Sequence, residues 1–338
     1  MRRLAILVSL ALLLAACAGP SGSAQAAASS SAAVQPTAAR AIWPLRGTDA
    51  PNADAVNRRP IVARVPNDPT ARPQSGLADA DVVFEMLVEG GITRYAAVFH
   101  SRDTQSVGPI RSARLSDLHH LPMLRGILAH VGASGPVLDR IRDAAKSGAF
   151  VDLDQFQHGD AYDRVTSRAA PQNVYTSTQR IRDAAKDTAK VDVPALEFTS
   201  TAPSGGKPAT ALVLPYLGAQ RVEYRYENAG YTRIQDGKPT MDDAAKKEVR
   251  PDNVVIVKTD ITEVRSIVED ELGSFSLEIR SIGTGPVVIL RDGQQFDGTW
   301  SRQGTDIYRF KDASGAALAL KPGLTWIHVV PLDFDTGG

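Results

Sequence analysis

The sequence predicts an α+β protein, a mixed strand and helix N-terminal domain followed by a mainly β C-terminal domain. Three observations carry this reading. Two β-type runs flank Gly90-Gly91 in a region that also shows helical spacing at 116–121, 136–146 and 178–186. A stretch rich in Pro, Ser, Thr and Gly follows at 192–208. Beyond it come seven β-type runs separated by Gly and Asp-Gly turns, with helical pattern limited to 242–248. The 338 residues are 43% hydrophobic and 6% aromatic, which is globular composition and excludes a collagen-like, coiled-coil or wholly disordered chain. Acidic and basic side chains number 38 each, which argues against a nucleic-acid partner.

In chain order, Met1-Arg2-Arg3 opens positively and Leu4 to Leu14 is an apolar run, too short for a stable span of about 20 residues. Residues 1–16 therefore read as a secretory signal, and Leu14-Ala15-Ala16-Cys17 resembles the lipobox of bacterial lipoproteins. Cys17 is the expected lipidation site, which predicts an extracytoplasmic protein held on a membrane by its anchor. It is the single cysteine, so an intramolecular disulfide and a multi-cysteine metal site are excluded. Residues 17–40, almost all Ala, Ser, Gly, Pro and Gln, read as a flexible tether.

Residues 41–191 form the predicted N-terminal domain. Ile61 to Val65 and Ile127 to Val131 are β-type runs, and Pro136 sits near the first position of a helix. After a linker at 192–208, residues 209–338 form the β-rich domain, with strands expected at 211–214, 221–226, 254–258, 275–281, 286–290, 307–310 and 326–330.

The Gly90-Gly91 hairpin concentrates charge. A two-residue loop there pairs Glu89 with Ile92, Leu87 with Arg94 and Glu85 with Ala96. That register puts Glu85, Glu89 and Arg94 on one half-buried face, where charges must be paired. The cluster reads either as a structural ion-pair ladder or as a polar binding site. Arg111 and Arg114, beside the Gly108-Pro109 turn at the start of a predicted helix, suit an anion or pair with the same glutamates. Arg168, in a polar loop with Asn173 and Tyr175, offers donors for sugar or carboxylate recognition, or braces that loop.

Other chemistries find little footing. His119-His120 are adjacent and no His-x-His or His-Glu-x-x-His spacing occurs, so no metal is expected and no cofactor is implied. A Gly-x-Ser-x-Gly elbow is absent. Glu85 and Glu89, about 13 Å apart on a strand, are too distant for a glycosidase pair, which needs roughly 5 to 9.5 Å.

Ala71-Arg72-Pro73-Gln74-Ser75-Gly76-Leu77, the Glu-Gly-Gly-Ile-Thr-Arg hairpin, Gly-Pro-Ile-Arg-Ser-Ala-Arg, Asp297-Gly298-Thr299-Trp300 and Lys321 to Ile327 together resemble the YerB-like lipoproteins. That bacterial family is known mainly as a domain of unknown function with N- and C-terminal parts. The resemblance spans nearly all of 59–332 and implies two domains on an anchored envelope protein, with no reaction attached. Related sequences tend to carry His after Gly-Lys-Pro; here Thr240 follows Gly237-Lys238-Pro239.

The leading expectation is a lipid-anchored protein binding an anionic or sugar-like envelope ligand or a partner protein, through Glu85, Glu89, Arg94, Arg111, Arg114 and Arg168. The alternative is an envelope-polymer hydrolase with Glu85 or Glu89 as general acid/base. The sequence leaves open whether the protein is an enzyme.

Overall fold

The computed structural model describes residues 40–216 and 221–336. The signal segment, Cys17 and residues 18–39 lie outside the described residues. Residues 40–338 form one compact unit. Among the described residues it contains both hydrophobic cores and all the strand pairing, so this stretch carries what it needs to fold alone.

A large sheet runs through the body. Its order is Arg309–Lys311, Gln294–Arg302, Gly283–Arg291, Asn253–Thr259, Thr325–Pro331, Val82–Leu87, Thr93–Phe99, Ile61–Pro66, Ile127–His130 and Val151–Asp154. The N-terminal and C-terminal regions are thus joined edge to edge, through parallel pairing of Val82–Leu87 with Thr325–Pro331. The strands are rich in Val and Ile and are mostly buried, as expected for a sheet covered on both faces. The 192–208 stretch runs along this body. Leu196 N–H donates to Pro44, Thr199 N–H donates to Leu320, and Lys207–Pro208 pairs with Gln294–Arg302.

On the first face Phe84, Met86, Ala96, Val257, Ile289 and Trp300 meet two helices, Asp117–Leu124 and Gly135–Ala145. Their inward residues, Leu121, Leu124, Val137 and Ile141, recur at helical spacing. On the second face Val65, Tyr95, Ala97, Ile256 and Trp326 meet the helix Thr178–Ala185 and a small four-stranded sheet. The order in that sheet is Lys238–Pro239, Gly230–Gln235, Arg221–Glu227 and Ala211–Pro215. The expected helix at 242–248 is instead a pair of two-residue strands, Met241–Asp242 and Lys247–Glu248. There Asp242 accepts hydrogen bonds from the N–H groups of Ala244 and Ala245. Lys246 takes a positive φ of 52°, and the segment turns back into antiparallel pairing instead of continuing as a helix.

The Gly90-Gly91 hairpin forms, with a register shifted by one residue from the expectation. Its loop is Glu89-Gly90-Gly91, closed by Val88 N–H donating to Ile92 carbonyl at 2.9 Å. Both glycines have positive φ, 74° and 72°. Met86 therefore opposes Arg94, and Glu85 opposes Tyr95. One added loop residue sends each side chain of the return strand to the other face. Glu85 and Arg94 end on opposite sides of the sheet, and the expected Glu85–Arg94 contact is absent.

Candidate functional site

Glu85 stands on the second face at the seam between the two regions. The parallel register places it beside His328, with Trp326 two residues earlier on the same strand face, and the antiparallel register places it beside Tyr95. All four side chains are buried. One Glu85 oxygen accepts from Thr93 Oγ1 at 2.8 Å and from Asn67 Nδ2 at 3.3 Å. The other accepts from Trp326 Nε1 at 2.8 Å and from Arg233 Nη2 at 2.9 Å. Burial alone would raise the Glu85 pKa, but Arg233, with hydrogen bonds from Thr93 and Trp326, outweighs it and holds it below the usual value. His328 is pushed down to about 4, chiefly by burial. It is therefore neutral, and its two ring nitrogens meet Tyr216 and Tyr224 hydroxyls at 2.7 Å each. A neutral imidazole donates to one and accepts from the other.

Arg233 reaches this site from the strand Gly230–Gln235 of the small sheet. Its Cζ lies 4.6 Å from the Trp326 ring centroid and 5.6 Å from that of Tyr95. It donates to Thr240 Oγ1 and Gln235 Oε1 at 2.8 Å each, besides Glu85. Thr240, which follows Gly237-Lys238-Pro239, thus serves as an acceptor for this guanidinium.

In front of Arg233 opens a cleft of about 570 Å³. One wall is the loop Asn67 to Gln74; the other is the turn Gln235 to Met241. The floor, formed by Asn67, Gln74, Tyr95, Arg233 and Gln235, is polar and buried. The rim holds Pro69, Pro73 and Pro239 together with Arg72 and Lys238. Arg72 ties the walls together, donating to Asn67 carbonyl oxygen at 2.7 Å and to the Asp236 carboxylate. The floor keeps unspent hydrogen-bonding capacity: the buried Tyr95 hydroxyl and Arg233 Nε have no hydrogen-bond partner among the described residues. Exposed Lys238 forms no ion pair with any of them either.

The other expected site residues are distributed differently. Glu89, in the hairpin loop, accepts from Arg114 Nε at 2.7 Å, with Arg114 Nη2 on its other oxygen. Arg94 Nη2 stands 3.9 Å away, and Arg94 Nη1 donates to Ser112 carbonyl oxygen at 3.0 Å. Arg114 also faces buried Glu269 at 3.7 Å. Against the opposing effect of burial, Arg114 and Arg94 hold Glu89 at about 2. Arg111 is half-buried beside this cluster, under the electrostatic influence of Asp68, Arg114 and Glu89. Arg168 lies behind the cleft wall, donating to the carbonyls of Ala71 at 3.0 Å and of Pro73. Glu89, Arg94, Arg111 and Arg114 are thus brought together, while Glu85 and Arg168 belong to the cleft region on the opposite face. Among the described residues no three His, Cys, Asp or Glu side chains gather to hold a metal ion, and no helix is long and apolar enough to cross a membrane.

Residues 45–191 match the N-terminal domain, and residues 212–327 the C-terminal domain, of a protein family of unknown function (DUF3048). The chain belongs to this family. It is 33% identical over 315 residues to the Bacillus subtilis (strain 168) protein named "Putative lipoprotein YerB", covering 90% of each chain. Its fold is similar to the crystal structure of the YerB protein from Bacillus subtilis, with a TM-score of 0.74 and 29% identity over 86% of this chain and 97% of that one. One motif behind the family resemblance, Ala71 to Leu77, supplies Arg72, Pro73 and Gln74 to one side of the cleft, and Lys238 to Met241 line the other. Tyr95, Arg233, Trp326 and His328 were not among the expected site residues. Trp326 is 241 residues from Glu85, and no local pattern joins them.

Proposed function

We propose that the protein is an envelope lipoprotein, anchored through Cys17, that holds a small anionic or sugar-like ligand in the cleft in front of Arg233. The anchor rests on the charged start, the apolar run and Leu14-Ala15-Ala16-Cys17, and on the lipoprotein name of the Bacillus relative. The binding reading rests on one observation: beneath a cleft with Lys238 at its rim, the buried floor leaves an O–H on Tyr95 and an N–H on Arg233 without a hydrogen-bond partner among the described residues. Unpaired buried donors are costly, and a ligand rich in acceptors relieves that cost. Three prolines offer flat apolar walls to the body of such a ligand.

The hydrolase alternative draws no support from the glutamates. A general acid needs a raised pKa, whereas Glu85 and Glu89 are both held low by arginines. Each accepts hydrogen bonds on both oxygens, and neither lines the cleft.

A thermal-shift screen tests the proposal. The chain from Arg40 onward is melted with cell-wall fragments, sugar phosphates and dicarboxylates, beside a Tyr95→Phe variant. Removing a hydroxyl that has no partner leaves the unliganded melting temperature within about 2 °C of the parent. The expected result is a ligand-induced rise in the parent that shrinks in the variant. No rise with any compound counts against a small-molecule site.

A further inference from the structure

A second cationic cavity lies far from the cleft. Arg58 and Arg59 precede the strand Ile61–Pro66, and Asn67 of the cleft follows it. A six-residue strand separates the two places by about 20 Å. The cavity measures about 330 Å³, and Arg58, Arg59, Arg182 and Lys190 line it with Asp187 and Ile127.

Its charges are incompletely matched. Arg58 donates to Asp103 Oδ2 at 3.2 Å and to His100 carbonyl oxygen. Arg59 meets Asp187 at 2.8 Å and donates to the carbonyls of Arg125, Gly148 and Ala149. Lys190 stands 3.3 Å from Asp54. Four cations thus share three carboxylates. Arg182 is the poorly served one: Nη1 donates to Arg59 carbonyl oxygen, while buried Nε and Nη2 have no hydrogen-bond partner among the described residues. Asp103 stands 3.6 Å from Nε. Burial, with Arg58 next to it, pulls the Arg182 pKa down to about 10 against the opposing effect of Asp103.

We infer that this cavity is a second binding site, for a phosphate group. Arg58, Arg182 and Lys190 line the cavity from the segment before a strand, from a helix and from a loop. A tetrahedral anion with several oxygens meets such an arrangement better than a planar carboxylate. Neither the size nor the charge of the cavity separates a free phosphate ester from a phospholipid headgroup, since both present the same group to it.

The test uses the chain from Arg40 onward, with Lys190→Ala and Arg182→Gln. Lys190 is exposed, so its variant folds normally. About 10 mM inorganic phosphate or glycerol phosphate, against chloride at equal ionic strength, should raise the parent melting temperature by about 2 °C. The rise should fall by half or more in each variant. Phosphate also stabilises proteins by exclusion from their surfaces. An equal rise in all three proteins would therefore overturn the proposal. Vesicles of phosphatidylcholine with and without phosphatidylglycerol distinguish the sources. Co-sedimentation that needs the anionic lipid and fails in Arg182→Gln assigns the site to a headgroup; a soluble-phosphate shift without co-sedimentation assigns it to a free ester. Loss of binding to the cleft probes in Lys190→Ala would also contradict a separate site.

Discussion

Glu85 lies on the strand and Glu89 in the loop of one hairpin, four residues apart. Glu85 points into the seam between the N- and C-terminal regions, where Arg233, Trp326, Thr93 and Asn67 surround it. Glu89 points to the opposite side, where Arg114 clamps it against the first face and Glu269. Both carboxylates are lowered by arginines, yet the arginines differ. Arg114 spends its donors on Glu89 and on Ala113 carbonyl oxygen. Arg233 keeps one buried N–H unspent beside a cleft. The tip is not without unspent groups, since buried Arg94 Nε and both Glu269 oxygens have no hydrogen-bond partner among the described residues; what separates the two carboxylates is their partners, Arg114 for Glu89 and Arg233 beside the cleft for Glu85.

The comparison is most sharply tested at Glu85. Glu85→Gln leaves Arg233 buried without its carboxylate and should cost about 3–5 kcal/mol in urea unfolding. A loss under about 1 kcal/mol would mean that the seam does not depend on this pair. Glu85→Leu with Arg233→Met should recover more than half of that loss, while abolishing ligand shifts, because an apolar pair restores the balance but not the donors.

Glu89→Gln should cost less, about 2 kcal/mol, since it weakens hydrogen bonds to a charged partner near the surface. The effect depends on pH. Glu89 binds its proton less readily folded, at about 2, than unfolded, near its ordinary 4.5. Its contribution is complete above that ordinary value and disappears as pH falls towards 2. Unfolding free energy measured from pH 6 to pH 2 should therefore fall less steeply in Glu89→Gln than in the parent. Parallel curves would remove Glu89 from the acid response.

Arg168→Ala probes the cleft from behind. Its guanidinium braces the carbonyls of Ala71 and Pro73, so its loss should loosen the Arg72 wall. Stability should change by less than about 1 kcal/mol, while ligand-induced shifts weaken severalfold. An unchanged shift would make the brace irrelevant to binding.

The sequence carried much of the architecture. The helices at 135–145 and 178–185 follow from Pro136 and from apolar spacing, and seven strands beyond residue 210 follow from their β-type runs between turns, whereas Gly230–Gln235, which carries Arg233, Ile261–Val268 and Gln294–Arg302 were not expected. The hairpin was legible in Gly90-Gly91, but its loop length was not. One further loop residue reverses side-chain parity, so Glu85, Glu89 and Arg94 could not be sorted into faces from the motif alone. The cleft depended on more distant facts. Parallel pairing brings Trp326 and His328 to Glu85, and a second sheet brings Arg233, and neither contact leaves a periodic trace. Arg114 was expected beside Glu85 or Glu89, and it pairs with Glu89 because the loop turns that residue towards it.

The most direct measurement compares two single variants with the parent, using the strongest stabilising compound from the ligand screen. Lys238→Ala removes a rim cation of the cleft, and Arg111→Ala removes a half-buried cation beside the hairpin tip. Both should fold as well as the parent to within about 1 kcal/mol. The account predicts that the ligand-induced rise is lost in Lys238→Ala and retained in Arg111→Ala. Retention in Lys238→Ala with loss in Arg111→Ala would contradict it and move the binding site to the Glu89 side.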